Sequence, residues 1–347
     1  MKKIVIACDS YKGCLSSSEV SGAVAEGVSG VYPDCEVVRL AVADGGEGTV
    51  EALVDTLGGH LEWAEVSDPL GRPVRAAYGV AGDLAIIESA AACGLTLLTK
   101  EERNPLIATT KGLGELILAA VDKGCRRFLI GLGGSATNDG GMGMIGADGF
   151  LAKTRGLQFT VACDVDTPYI GRNGASRVFG PQKGASGQDV EVLEERLRGY
   201  ALKISEDTGI DVSDMPGAGA AGGLGGAFRA YFGAELKRGV DLVLDQIGFD
   251  SVIAGADLVI TGEGCSDYQT LKGKTAAGVL ERAGRQHIPV ALVSGAIRDE
   301  KMLRDSGFRI VEAVTPPAMS LEEAMRPETA KRLVAIATRN ILHHFCI

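Results

Sequence analysis

Short apolar runs recur along the chain, and each ends abruptly in glycine or an acidic residue. Residues 3–8 form the first run and predict a strand buried on both faces, followed directly by Asp9-Ser10-Tyr11-Lys12-Gly13. Ser16 or a neighbour, with Glu19 in the first turn, then caps a helix predicted to reach about Gly27. Residues 36–42 predict a second strand, ending in Ala43-Asp44-Gly45-Gly46-Glu47-Gly48-Thr49 before a helix near 50–57. Later strands are predicted at 84–87, 127–130, 158–163, 258–260, 290–293 and 309–314. From Pro327 onward Leu333, Ile336, Ala337, Ile341 and Phe345 fall at helical spacing, which predicts a core-facing terminal helix.

Strand, loop and helix succeeding one another in this way predict an α/β fold with a mostly parallel sheet. At 347 residues the chain is long enough for two domains. The strands at both ends read as buried parallel-sheet strands, while the middle carries longer glycine-rich connections. The expected division is a discontinuous α/β domain of residues 1–60 plus 250–347, with a second α/β domain of residues 61–249 inserted into it. The active site is expected in the cleft between them.

Charge narrows the choice of partners. Thirty-five basic against 45 acidic residues leave a net charge of −10. That balance argues against nucleic acid and against anionic membrane surfaces, both of which are held by clustered Lys and Arg. No window approaches the ~20 apolar residues of a membrane span, and the apolar stretch at the N-terminus is too short for a signal-peptide core. A cytoplasmic protein is the expectation, with eight cysteines that lack a C-x-x-C pair and read as reduced thiols. Glycine stands out: 49 residues, about twice the ordinary share of roughly 7%. Such a chain has many loops in which backbone must approach something closely.

Five loops combine those glycines with polar side chains. They are 9–13, 43–49, Gly131-Leu132-Gly133-Gly134-Ser135-Ala136-Thr137-Asn138-Asp139-Gly140-Gly141, the run 217–226, and Thr261-Gly262-Glu263-Gly264. Four of them follow predicted strands, where open α/β sheets bind ligands. Two segments come close to a dinucleotide fingerprint, Gly131-x-Gly133-x-x-Ala136 and Gly217-x-Gly219-x-x-Gly222, and Lys272-Gly273-Lys274-Thr275 resembles the end of a phosphate-binding loop. Each lacks part of its expected context. Together they point to a phosphate-handling site, in which Gly133, Gly134, Ser135, Thr137 and Asn138 offer donors while Lys183 and Lys274 offer cations. A nicotinamide-dependent hydroxy-acid oxidoreductase is the rival reading, and a catalytically impaired small-molecule-binding relative is another.

Seven segments, in order, resemble the type 1 glycerate kinase family: residues 5–13, 43–49, 133–141, Ala162-Cys163-Asp164-Val165, Phe179-Gly180-Pro181-Gln182-Lys183-Gly184-Ala185, Gly219-Ala220-Ala221-Gly222-Gly223 and 261–264. The resemblance spans nearly the whole chain. It implies two α/β domains, one Rossmann-like and the other inserted into it. It also implies transfer of the ATP γ-phosphoryl group to D-glycerate with Mg²⁺, generally at the 2-hydroxyl, by a monomer or homodimer. On this reading Asp9, Ser10, Lys12, Asp44, Gly45, Gly46 and Glu47 frame glycerate. Gly133, Gly134, Ser135, Thr137, Asn138, Lys183, Gly222, Glu263 and Lys274 hold the nucleotide. Asp164 and Asp139 share the roles of general base and Mg²⁺ ligand, and Lys12 assists catalysis. The chain also departs from the family pattern. Cys8 and Cys14 replace the usual Pro and Ser, Tyr11 the usual Phe, and Cys265 the usual Arg. The link between Leu151 and Val161 is shorter than the family's.

Overall fold

A computed structural model of the chain describes residues 1–46 and 48–345. Its strands are β1 Lys3–Cys8, β2 Glu36–Ala41, β3 His60–Ser67, β4 Pro73–Ala81 and β5 Leu84–Glu88. They continue as β6 Arg127–Gly131, β7 Gln158–Ala162, β8 Glu235–Lys237 and β9 Leu258–Gly262. The last are β10 Cys265–Ser266, β11 Val290–Ser294, β12 Ala296–Ile297 and β13 Ile310–Ala313. The chain separates into two compact units: a terminal unit of Met1–Asp44, Asp55–Leu57 and Val240–Ile347, and a central unit of Gly45–Val54 and Gly58–Gly239. The changeovers fall earlier than the expected 60 and 250, because Gly45 is seated in the central unit. A Cβ there would lie 2.7 Å from the Gly239 Cα and 2.8 Å from the Ala162 Cβ.

The terminal unit is a parallel sheet in the order β13-β11-β9-β1-β2. Numbered within the unit this is the doubly wound order 2-1-3-4-5, whose switch point lies between the first and third strands. Residues 4–8 of β1 and all of β9 are fully buried, which is why these strands read as unbroken apolar runs. Ile4, Ile6, Ile260 and Val293 pack against Val20 and Val24 of helix Ser17–Ser29 and Val334 and Ile341 of helix Pro327–Phe345. Val5, Ala7, Val259 and Leu292 alternate to the other face, where helix Thr275–Arg285 lies. The predicted capping box at Ser16 forms: its hydroxyl accepts from the Glu19 amide at 3.2 Å, and its own amide donates to the Glu19 carboxylate at 2.9 Å. The terminal helix faces the core with one exception. Ile336 is 43% exposed, because it stands about 100° round the helix from Ala337 and off the stripe of Leu333, Ala337 and Ile341.

The central unit is built on a mixed sheet in the order β3-β4-β5-β6-β7-β8. β3, β4 and β5 pair antiparallel, and the remaining strands pair parallel. Sequence patterning does not predict β3, β4 or β8. His60, Glu62 and Glu65 interrupt the apolar character of β3, which is an edge strand, and β8 has only three residues. Phe128 on β6 stacks on Phe159 on β7 with ring centroids 4.9 Å apart, and Phe228 and Phe232 close the same core. Among the described residues no helix is long and apolar enough to cross a membrane.

Candidate active site

The switch point of the terminal unit is where its chemistry collects. The Asp9 amide donates to the Gly262 carbonyl at 2.8 Å, tying the loop after β1 to the end of β9. Beside this tie opens a cavity of about 460 Å³ whose polar lining is Asp9, Ser10, Lys12, Asp44, Glu263 and Lys274. Six expected site residues from four separate stretches of chain therefore share one pocket. Cys265 lines it as well. Glu47, also expected at the substrate, lies outside the described residues.

Asp9 is the most perturbed acid of the group. It is 5% exposed, and burial pushes its carboxyl up to about 6. The Thr275 hydroxyl, donating to Oδ2 at 2.6 Å, offsets part of that rise, as does the Ser10 amide, donating to Oδ1 at 2.6 Å. The charge of Asp44 raises it further and that of Lys12 lowers it. Glu263 is differently placed. Its Oε1 accepts from the Ser266 hydroxyl at 3.0 Å and the Thr270 hydroxyl at 2.5 Å, while its Oε2 stands 3.4 Å from the Lys274 ammonium. Lys274 occupies the N-cap of helix Thr275–Arg285, so its ammonium and the positive end of that helix act together on the pocket. Lys12 is exposed and Asp44 half-buried.

The expected nucleotide residues of the central unit form a different kind of structure. Only Gly133 and Gly134 of their loop reach the surface; Ser135, Thr137 and Asn138 are buried. Lys183 is 2% exposed, and its ammonium donates to the Ser135 hydroxyl at 3.0 Å and the Thr137 carbonyl at 2.7 Å. Burial lowers its pKa to about 8. Gly222 adopts a φ of +71°, and a Cβ there would collide with the Thr137 carbonyl, so glycine is required for packing. Asp139 accepts from the Thr110 amide at 2.8 Å and hydroxyl at 3.0 Å, from the Thr109 hydroxyl at 3.3 Å, and from the Gly141 and Gly143 amides at 3.1 and 3.2 Å. Asp164 is exposed at the end of β7, where Oδ1 accepts from the Gly239 amide at 2.9 Å. No helix follows β6 until Met142, so the 131–136 segment lacks the helix N-terminus that a dinucleotide pyrophosphate needs.

Glu88 is the residue that sequence reasoning passed over. It ends β5, and its Oε1 accepts from the Val50 amide at 3.1 Å, holding the start of helix Thr49–Leu57. Burial pushes its carboxyl up to about 6. The available signal was positional: an acid closing an apolar run, as Asp9 closes the first.

A family model described as the glycerate kinase family matches residues 4–157 and 148–346. A protein named glycerate kinase from Bacillus subtilis (strain 168) is 44% identical, over 93% of this chain and 92% of its own. One named glycerate 2-kinase from Escherichia coli (strain K12) is 42% identical, over 98% of this chain and 97% of its own. A crystal structure assigned to glycerate kinase 2 of Salmonella typhimurium LT2 superposes with a TM-score of 0.88 at 40% identity, covering 100% of this chain and 98% of that one.

Proposed function

The chain belongs to the glycerate kinase family, and from that premise we propose that it transfers the γ-phosphoryl group of ATP to the 2-hydroxyl of D-glycerate, releasing ADP and 2-phosphoglycerate. The observation that carries the reading is the switch-point pocket, in which two lysines and three carboxylates converge at the carboxyl ends of β1 and β9. Phosphoryl transfer asks for positioning and charge neutralisation more than for covalent chemistry, and this inventory supplies both.

Asp9 is the proposed general base. Burial raises its carboxyl to about 6 and it lies in the pocket, so it can take the proton from the attacking hydroxyl as the oxygen–phosphorus bond forms. Thr275 fixes its orientation through Oδ2. Lys12, the more exposed lysine, suits the glycerate carboxylate, and Lys274 with the helix behind it suits the phosphates. Among the described residues no cluster of three or more metal-ligating side chains stands ready-made. Mg²⁺ commonly keeps one or two carboxylates and takes the rest of its shell from phosphate and water, and Asp44 fits that part. The ion would neutralise charge on the transferring phosphoryl oxygens. On this reading Asp139, Lys183 and Gly222 position the central unit's loops, and Asp164 holds the Gly239 amide.

The test is direct. ATP, Mg²⁺ and D-glycerate with the purified protein should release ADP, and phosphorus NMR should identify 2-phosphoglycerate. A 3-phosphoglycerate signal would overturn the regiochemistry, and absence of turnover would overturn the proposal. Saturable NADH binding without ATP binding would move the assignment to the oxidoreductase reading.

A further inference from the structure

The switch-point pocket is lined by apolar as well as polar side chains. Beyond Asp9, Lys12 and Lys274 its wall is built by Val314, Met319, Leu321, Ala324, Met325 and Ala330. This apolar wall is anchored to the sheet, since the Val314 amide donates to the Ser294 carbonyl and the Thr315 amide to the Gly295 carbonyl, at 2.8 and 3.1 Å. It is also tied to the loop after β1, where the Cys14 thiol lies 3.2 Å from the Met325 carbonyl. Leu321 is nevertheless 71% exposed and Met325 37% exposed. Clustered apolar exposure at the mouth of a cavity is a mark of a binding surface.

D-glycerate leaves this wall unexplained. Every carbon of that acid bears oxygen, so it has no apolar surface to bury. A cavity of about 460 Å³ falls within the roughly 300–1,000 Å³ that takes a drug-sized ligand, far more than a three-carbon acid fills. Two features are needed of the occupant: a flat or apolar part for the methionine and aliphatic wall, and an anionic part for the lysines. We propose that the apolar lobe receives the purine base of the phosphoryl donor, so that the nucleotide lies along the terminal unit with its base against Val314, Met319 and Met325 and its phosphates toward Lys274. Methionines suit this role because their thioethers are flexible and make favourable contacts with aromatic rings. The inference rests on the kinase reading for the identity of the ligand, and on the pocket alone for the place.

Two thiols report on the lobe without any turnover. Cys14 and Cys265 both line the pocket and both are half-buried and free. Their alkylation by N-ethylmaleimide, followed peptide by peptide in a mass spectrometer, is expected to slow at least fivefold in the presence of adenosine, which has the base and no phosphate. ATP should protect equally or better, and D-glycerate should not protect. Met325→Glu and Leu321→Glu, both at exposed positions, should each raise KM for ATP at least tenfold while KM for D-glycerate moves less than twofold. Unprotected thiols together with an unchanged KM for ATP would overturn the lobe and leave the kinase reading standing. Protection by adenosine in a protein that does not phosphorylate D-glycerate would support the lobe and overturn that reading.

Discussion

The loop after β1 and the loop after β6 look alike in sequence, and the structure treats them in opposite ways. Both leave a buried strand and both carry serine, an acid and glycine, with a lysine in the same loop or drawn in from farther along the chain. After β1 the chain closes a short Tyr11–Leu15 bridge and enters a helix, leaving Asp9, Ser10 and Lys12 on the wall of a cavity. After β6 no helix begins, and the polar groups turn inward: Lys183 bonds Ser135 and Thr137, and Asn138 bonds Ser176 at 2.9 Å. A glycine-rich loop with a lysine is thus ambiguous by composition. What separates a binding loop from a packed one is whether its charged groups face a cavity or are taken up by neighbouring protein groups.

The largest test of this contrast is Asp9→Asn. If Asp9 is the base, kcat should fall by about 10³-fold, in the range typical of general-base loss, with little change in unfolding midpoint. The pH profile should agree. A carboxyl raised to about 6 is protonated and inactive below that value, so kcat/KM should be lost as pH falls through about 6. A variant within tenfold of the parent enzyme would remove the catalytic base from this pocket.

Asp139→Asn is expected to act on stability instead. Its carboxylate accepts five hydrogen bonds that tie residues 109–110 to 141–143. Losing the charge at such a hub should cost about 2–3 kcal/mol, read as a lower urea midpoint for the transition of the central unit. Turnover per folded molecule should stay within a few-fold. A collapse of kcat with unaltered stability would make Asp139 a chemical group after all.

The charge of Lys183 offers a finer probe. Burial holds its pKa near 8 against an ordinary 10.5. Between those values the unfolded chain binds a proton that the folded chain does not, so stability should rise with pH across that window. The parent protein should therefore gain up to about 3 kcal/mol relative to Lys183→Met between pH 8 and 10.5. A flat difference would mean that the ammonium is solvated, and the loop after β6 would then be open like the one after β1.

Much of this was legible in the chain itself. β1, β9 and β11 of the terminal unit were readable because parallel strands buried on both faces are continuous apolar runs, whereas β2, expected to be buried, is a partly exposed edge strand, and the two-residue β10 and β12 were not foreseen. Asp9, Asp44 and Glu263 were readable because acids just past strands fall at the carboxyl edge of the sheet. β3 was not readable, since an edge strand tolerates His60 and Glu65 at exposed positions and the half-buried Glu62 between them. Nor could composition divide Lys12 from Lys183 or Asp9 from Asp139. Those differences lie in burial and in which donors each carboxylate meets, and both come from contacts distant in sequence. The apolar lobe was invisible for a similar reason: Val314 ends a predicted strand and residues 321–324 form only one helical turn, so the clustering of 314–325 exists only once the chain is folded.

Lys274→Met should have a moderate effect. It removes the ammonium proposed to face the phosphates and leaves Glu263 Oε2 without the partner at 3.4 Å. KM for ATP should rise about tenfold, the scale of roughly 1.4 kcal/mol, and KM for D-glycerate should hold. If KM for D-glycerate rose instead, the two ends of the pocket would have to be exchanged.

The smallest expected effect belongs to Asp164→Asn, and it bears most sharply on the contrast between the two loops. Asp164 is the central unit's one exposed acid among the residues expected to act on phosphate, and it stands just past β7, much as Asp9 stands past β1. Its hydrogen bond from the Gly239 amide can be made equally by an asparagine carbonyl oxygen, so the substitution removes charge while keeping that contact. If the role of Asp164 is structural, kcat with ATP and D-glycerate should change less than threefold at saturating Mg²⁺, and the Mg²⁺ concentration for half-maximal rate should not move. A hundredfold loss of kcat, or a matching rise in the Mg²⁺ requirement, would show that position past a strand carries more weight than burial, and would bring a carboxylate of the central unit into the chemistry beside Asp9.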